Sequence, residues 1–225
     1  MSLAALLFDF DGVLIESELA GNVHLAETLT ALGHPTSSDE AMANFMGLAG
    51  ADFRAAVERW IGRPLPPEFE TARRAEDERC VREGVAEVAG AVRFVRSLPP
   101  GLPIAVVSSS STRWLHAHLA HLGLAGRFGE HVYSGREHVA RGKPAPDIYL
   151  HAAGRLGVDI SHCTIIEDSP VGATGAVASG AYVIGLTAGS HCGPDHANKL
   201  RAIGVNAVAH DFEEVARIIR ERGGW

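Results

Sequence analysis

The chain has 225 residues, of which 46% are hydrophobic, and its formal net charge is -7. This length is enough for one large core, or for a core domain with a smaller second domain. The acidic balance provides no basic footprint for nucleic acid and disfavours anionic membrane surfaces, so we expect neither as a partner.

The cysteines give information about the cellular compartment. Cys80, Cys163 and Cys192 lie far apart in the sequence and are odd in number. They form neither a zinc-binding spacing nor a disulfide framework, which fits a reducing cytosol. There is no signal-peptide pattern and no apolar run long enough to span a bilayer. We therefore expect a cytoplasmic protein, and its oligomeric state is left open.

Six short apolar segments predict the strands of a parallel sheet. Residues 3–8 form a continuous apolar run that is too short for a typical helix, as expected of a buried strand. Further strands are predicted at 103–107, 131–134, 163–166, 181–186 and 207–209. Helical patterns at 112–122, 146–156, 171–179 and 212–222 alternate with them. This alternation predicts βαβ units and the α/β class.

Residues 16–84 break the alternation. Four helical stretches, at 19–32, 38–45, 52–60 and 67–82, follow one another without a convincing strand between them. Glycine and proline pairs separate some of these stretches. We therefore expect an all-helical cap domain at 16–84, inserted into an α/β core at 1–15 and 85–225. Such a cap would lie over the carboxyl ends of the strands.

Chemically active side chains follow four of the predicted strands. They are Asp9 and Asp11 after the first, Ser108 and Ser109 after the second, Lys143 in the loop after the third, and Glu167 and Asp168 after the fourth. Parallel topology brings the carboxyl ends of strands to one edge of the sheet, where ligands bind in open α/β folds. We expect these groups to form one site.

The residue types suit phosphoryl transfer through an aspartyl-phosphate. Asp9 would attack phosphorus, and Asp11 would act first as general acid and then as general base. Ser108 and Ser109 would hold phosphate oxygens, and Lys143 would neutralise negative charge.

Attack by one anion on another calls for a divalent cation, and Mg²⁺ prefers oxygen ligands. The candidate ligands are Asp9, the backbone carbonyl of Asp11, Glu167 and Asp168. The expected substrate is a small phosphorylated metabolite.

As an ordered set, these residues resemble the four motifs of the haloacid dehalogenase superfamily. Residues 9–14 (DFDGVL) resemble the first motif, Ser108 the second, Lys143 before Pro144 the third, and Glu167-Asp168-Ser169 the fourth. The resemblance covers nearly the whole chain. It implies a Rossmann-like core, a helical cap and Mg²⁺-dependent chemistry. Within the superfamily, the chain looks most like the sugar-phosphate phosphatases and β-phosphoglucomutases.

Three relatives within that superfamily can be compared with these residues. Asp11 argues against dehalogenation, because haloacid dehalogenases lack this second acid. The cap has no lysine for the Schiff base of phosphonoacetaldehyde hydrolases. The cap residues of β-phosphoglucomutases would fall near Gly21, Gly50 and Ala75, and none of these matches. A phosphatase is therefore favoured, with a mutase and a non-catalytic binding module as alternatives.

Candidate substrate-binding residues in the cap are Gly47, Arg54 and Arg74, with Arg73 and His24 near the mutase positions. Their alternative role is a helix break or a solvated helix face. Trp114 is expected only to pack or to lie at the surface. The segment 189–196 contains two histidines and a cysteine and is expected to border the cleft, without an assigned chemical role.

Overall fold

The computed structural model describes residues 3–45, 48 and 50–224. The chain divides into two compact units, one made of residues 1–16 and 86–225 and the other of residues 17–85. Among the described residues, none of the helices combines the length and the apolar character needed to cross a membrane.

The first unit is built on a six-stranded parallel sheet. Its strands are β1 (Ala5–Phe8), β2 (Ile104–Ser108), β3 (Val132–Ser134), β4 (Cys163–Glu167), β5 (Tyr182–Leu186) and β6 (Ala207–Ala209). They lie in the order β3-β2-β1-β4-β5-β6, and every neighbouring pair is parallel. The predicted α/β, Rossmann-like class is confirmed, and each predicted strand overlaps an observed one.

The helical unit contains α1 (Ser17–Ala31), α2 (Ser38–Phe45), α3 (Gly50–Ile61) and α4 (Pro67–Glu83). It has a core of its own, in which Leu25, Leu29, Phe45, Val57 and Phe69 are all buried. These residues come from all four helices, so the four helices share one apolar core. The proposed role of residues 16–84 as a cap stays a prediction.

The first unit contains the remaining helices. They are α5 (Ala91–Ser97), α6 (Thr112–His121), α7 (Ala125–Phe128), α8 (Asp147–Leu156), α9 (Pro170–Ala178), α10 (His196–Ile203) and α11 (Phe212–Glu221), with a 3₁₀ turn at Ile160–His162. Helices α5, α7 and α10 were not predicted. All three have eight residues or fewer, a length at which a helical period is only weakly marked in the sequence.

Helices cover both faces of the sheet. Successive residues of a strand point to opposite faces, so the contacts of two neighbouring residues of β1 report on both faces. Leu7 lies in one apolar cluster with Ile148 and Tyr149 of α8. The next residue, Phe8, has edge-to-face ring contacts with Phe94 of α5 and Phe128 of α7. Two covered faces explain why the strands are continuous apolar runs.

The strand order determines where a site can form. β1 pairs with β2 on one side and β4 on the other, and Phe8 lies beside Val106 and Ile166. The residues that follow β1 are therefore level with the ends of β2 and β4. The chain runs outward in both directions from β1, which creates the crevice at which α/β sheets bind ligands.

Candidate active site

A buried lysine lies between two carboxylates at this crevice. Lys143, in the loop between β3 and α8, places its Nζ 2.5 Å from Asp9 Oδ1 and 2.5 Å from Glu167 Oε1. The three side chains are 4%, 9% and 0% exposed respectively. The structure thus brings together the predicted residues after β1, β3 and β4 around one ammonium group.

Glu167 is held by several donors besides Lys143. Its Oε1 also accepts a hydrogen bond from the Tyr149 hydroxyl at 2.9 Å. Its Oε2 accepts bonds from the backbone N–H of Ser169 at 3.0 Å and from the Ser169 hydroxyl at 3.1 Å. A carboxylate has about four lone-pair sites, so these donors occupy them all. Sequence reasoning missed Tyr149, which has no distinguishing pattern in α8.

The site depends on close approach at Gly172. A Cβ at this position would overlap both carboxylate oxygens of Glu167. The Gly172 carbonyl lies 3.0 Å from the Tyr149 hydroxyl and shares its single proton with Glu167. A side chain at residue 172 would therefore displace the carboxylate that pairs with Lys143.

Burial and the short distance between Asp9 and Lys143 shift the pKa values of both groups. Burial raises the pKa of Asp9 well above its usual range, and repulsion from Glu167 adds to the rise, while Lys143 opposes it. Burial lowers the pKa of Lys143, but attraction to Asp9 and Glu167 outweighs burial and leaves that pKa well above its ordinary value. Both carboxylates therefore favour the charged form of Lys143.

The carboxylates at this edge fit a hard divalent cation. Asp9, Glu167 and Asp168 are buried, and each offers one oxygen that lies within 4.8 Å of the others. One ammonium group lies among these three acidic side chains, and oxygen ligands are those that Mg²⁺ prefers. Because both Glu167 oxygens already accept hydrogen bonds, Asp9 and Asp168 are the side chains best placed to bind a cation directly.

The Asp11 carboxylate lies in different surroundings. Its Oδ2 accepts hydrogen bonds from the hydroxyl of Ser110 at 2.6 Å and from that of Ser108 at 3.3 Å. Its Oδ1 accepts a bond from Trp114 Nε1 at 3.1 Å. Trp114, expected only to pack, therefore holds a site carboxylate. The signal was its position in the first turn of α6, just after the predicted serine motif.

The two predicted phosphate-binding serines differ in their surroundings. Ser108 is 1% exposed, and its hydroxyl accepts the backbone N–H of Ser110 while donating to Asp11. Ser109 is exposed at the end of β2. Of the two, Ser109 is the one at the surface of the site, and Ser108 supports Asp11.

The segment 189–196 supports Asp168, a contribution that sequence reasoning did not foresee. His191 Nε2 lies 2.8 Å from Asp168 Oδ2, and His196 Nε2 lies 2.6 Å from the Asp168 backbone oxygen. Ser190 donates its backbone N–H and its hydroxyl to the Glu16 carboxylate, which fixes the loop to the segment after β1. The available signal was the clustering of histidines just after β5, which neighbours β4.

The predicted substrate-binding residues of the helical unit are described separately. Gly47 lies outside the described residues. Arg54 forms an ion pair with Glu70, in which both side chains are about half exposed. Arg74 is exposed. Surface pairs of this kind contribute about 0–1 kcal/mol, so Arg54 is weakly held.

The two further candidates in the helical unit also have partners within it. The Arg73 guanidinium lies 5.5 Å from the centre of the Phe53 ring. His24 Nδ1 lies 3.6 Å from Glu76 Oε2, and its Nε2 lies 3.2 Å from the Thr28 hydroxyl.

Comparison with known proteins shows what this chain is similar to. The family model of haloacid dehalogenase-like hydrolases matches residues 3–180. Hexitol phosphatase A of Escherichia coli is 31% identical over 211 residues, which cover 93% of this chain and 91% of that protein. Fructose-1-phosphate phosphatase of the same organism is 31% identical over 179 residues, covering 79% of this chain and 93% of that protein.

Two solved structures are similar to this chain over nearly its whole length. A family hydrolase from Deinococcus radiodurans, crystallised with bound phosphate and sodium, has a TM-score of 0.86 and 33% identity, covering 98% of this chain and 96% of its own. A candidate β-phosphoglucomutase from Thermotoga maritima has a TM-score of 0.76 and 25% identity, covering 97% and 99% of the two chains.

Proposed function

The chain belongs to the haloacid dehalogenase-like hydrolases. On that premise we propose that it is a metal-dependent phosphatase of a small phosphorylated metabolite. Sugar and hexitol phosphates are the first candidate substrates. One observation carries the proposal. Lys143 contacts both Asp9 and Glu167 in a buried cluster. The Asp11 carboxylate instead accepts hydrogen bonds from the Ser110 hydroxyl and the Trp114 indole, which are neutral. A nucleophile and a proton carrier are thereby separated.

In this mechanism Asp9 is the nucleophile. A carboxylate oxygen of Asp9 forms a bond to phosphorus as the bond between phosphorus and the leaving alcohol oxygen breaks. Lys143 offsets the charge of Asp9 and of the incoming phosphate, because its ammonium is buried beside Asp9 Oδ1. Most of the catalytic effect in phosphoryl transfer comes from positioning and from such charge compensation.

Asp11 carries the proton in both halves of the reaction. It donates a proton to the leaving oxygen, and it then removes one from the water that hydrolyses phospho-Asp9, which releases phosphate and restores the enzyme. The indole of Trp114 and the hydroxyl of Ser110 fix the two Asp11 oxygens in place. Ser109, exposed at the end of β2, is our candidate ligand for the phosphate oxygens.

Asp9 and Asp168 are the proposed ligands of Mg²⁺, with Glu167 completing the acidic cluster. Asp11 would contribute its backbone carbonyl. When bound, the cation neutralises charge on the transferring phosphoryl group. His191 and His196 hold Asp168 in position for it.

Phosphate release tests the proposal directly. We would assay hexitol phosphates, fructose 1-phosphate, 6-phosphogluconate and other phosphate esters in Mg²⁺ and in chelator. Asp9→Asn should abolish turnover, and Asp11→Asn should lower it by about 10²–10⁴-fold. Asp77→Asn changes an exposed carboxylate of α4 and is the matched control. Turnover by Asp9→Asn at the rate of the control would disprove the nucleophile.

A phosphosugar mutase is the second candidate, because solved relatives include a candidate β-phosphoglucomutase. It predicts interconversion of glucose 1-phosphate and glucose 6-phosphate with little free phosphate. A mutase must exclude water from its phosphorylated state, whereas a phosphatase must admit it. Measuring both products in one reaction separates the two functions.

A further inference from the structure

The loop that supports Asp168 also contains three donor atoms of a different chemical class. His191, Cys192 and His196 each offer one ligand atom, and these atoms lie within 4.8 Å of one another. Imidazole nitrogen and thiolate sulfur favour zinc and similar transition metals, whereas carboxylate oxygen favours magnesium. This set is distinct from the carboxylate cluster, although the two sets meet at Asp168.

The distance between two of the donors suits a tetrahedral ion. Cys192 Sγ lies 3.4 Å from His191 Nε2. Bond lengths of about 2.0–2.1 Å to nitrogen and about 2.3 Å to sulfur place such a pair about 3.5 Å apart on a tetrahedral zinc. Little movement is therefore needed for these two atoms to bind one ion.

The orientation of His191 identifies the fourth ligand. A Cβ built on Gly189 would lie 2.6 Å from His191 Nδ1, so Nδ1 faces the Gly189 backbone. His191 Nε2 therefore faces both Cys192 and Asp168, whose Oδ2 is 2.8 Å away. A metal ion bound to Nε2 would replace the hydrogen bond between His191 and Asp168 and would take Asp168 as a ligand.

We propose that His191, Cys192, His196 and Asp168 form a zinc site, and that zinc bound there weakens the binding of the hard cation by drawing on Asp168. The second part rests on the proposed function, in which Asp168 binds Mg²⁺. Zinc binding displaces the thiol proton of Cys192 to solvent, and the proton that His191 Nε2 donates to Asp168 moves to Nδ1, so that the sulfur binds as thiolate and Nε2 binds through its lone pair. His191 and His196 are buried, and Cys192 is partly exposed, which provides a route of entry.

Cobalt(II) spectroscopy tests the site without using activity. Metal-free full-length protein is titrated with Co²⁺, and we expect a thiolate-to-cobalt absorption band that saturates at one ion per chain and disappears when Zn²⁺ is added. Cys192→Ser and His196→Gln should each abolish the band. Cys80→Ser, which changes a buried thiol in the helical unit, should retain it.

The cobalt titration has clear opposite outcomes. Absence of the band in the wild-type protein would overturn the site, whether or not the variants fold. A band that persists in Cys192→Ser, or that is lost in Cys80→Ser, would also overturn it. Circular dichroism of each variant shows whether a lost band reflects a lost ligand or a lost fold.

Calorimetric titration of Mg²⁺ tests the competition. We expect zinc-loaded protein to bind Mg²⁺ at least tenfold more weakly than metal-free protein, within the range of about 5- to 150-fold that is usual for coupled sites. Linkage requires Mg²⁺ to weaken zinc binding by the same factor. Equal Mg²⁺ affinity in both forms would refute the shared ligand. Failure of Mg²⁺ to bind the metal-free protein would instead refute the proposed function, and the cobalt band would still report on the zinc site.

Discussion

Replacing Lys143 measures how much its charge stabilises the fold beside the buried carboxylates. Lys143→Met keeps a long apolar side chain but leaves Asp9 and Glu167 buried without their shared cation. Removing one partner of a buried ion pair costs about 3–5 kcal/mol. In a chain of this size each kcal/mol shifts the melting temperature by about 2–4 °C, so we expect a loss of about 6–20 °C in chelator.

Mg²⁺ should reduce this loss, because a cation at Asp9 and Asp168 replaces part of the missing positive charge. Acid should reduce it as well. Burial raises the pKa of Asp9, so the folded state favours the protonated acid, and the loss grows as pH rises through that raised pKa. The measurement is thermal unfolding of both proteins in chelator and in Mg²⁺, over a range of pH.

The second lysine of the chain provides the control. Lys199 is exposed on α10, and Lys199→Met should change the melting temperature very little. Equal melting temperatures for the two variants in chelator would refute the reasoning. A loss in Lys143→Met that Mg²⁺ leaves unchanged would refute the cation part of it.

Three further predictions concern the surroundings of the cluster. Trp114→Phe removes the indole bond to Asp11, which is expected to contribute about 1.5–3 kcal/mol and so to lower kcat/KM about ten- to a hundredfold. Gly12→Ala would place a Cβ against Asp168 Oδ2, and calorimetry should show at least tenfold weaker Mg²⁺ binding, within the usual 10–100-fold effect of disturbed ligand support. Burial lowers the pKa of His118, so the free energy of unfolding in urea should fall below pH 6.5 by up to about 1.4 kcal/mol per pH unit, and His118→Leu should flatten that dependence.

Each of these variants has a matched control. Trp60→Phe removes an indole bond to Thr36 in the helical unit and should leave kcat/KM unchanged. Gly129→Ala introduces a Cβ at a similarly positive φ but into open space, so it should leave Mg²⁺ affinity unchanged. His116→Leu changes an exposed histidine and should keep the pH dependence. Any variant that matches its control would refute the corresponding prediction.

The contacts that follow from strand order could be predicted from the sequence. Asp9 and Lys143 are 134 residues apart, yet their meeting follows from parallel strands that end at one edge. The contacts of Trp114 and His191 could not be predicted in the same way. The direction of the Trp114 indole depends on its side-chain rotamer, and the path of residues 189–196 is irregular. Periodicity carries no information about either.

Asp9 and Asp11 show how the fold distinguishes two identical residues. They are separated by one residue, but Asp9 lies beside the ammonium of Lys143, which opposes the rise in pKa that burial causes at Asp9. The Asp11 oxygens instead accept hydrogen bonds from the neutral side chains of Ser108, Ser110 and Trp114. The charged groups around Asp9 come from β4 and the loop after β3, and the donors to Asp11 come from β2, from the residues between β2 and α6, and from α6. The different roles proposed for the two acids are therefore set by which strands flank β1, and not by the residues next to them in the sequence.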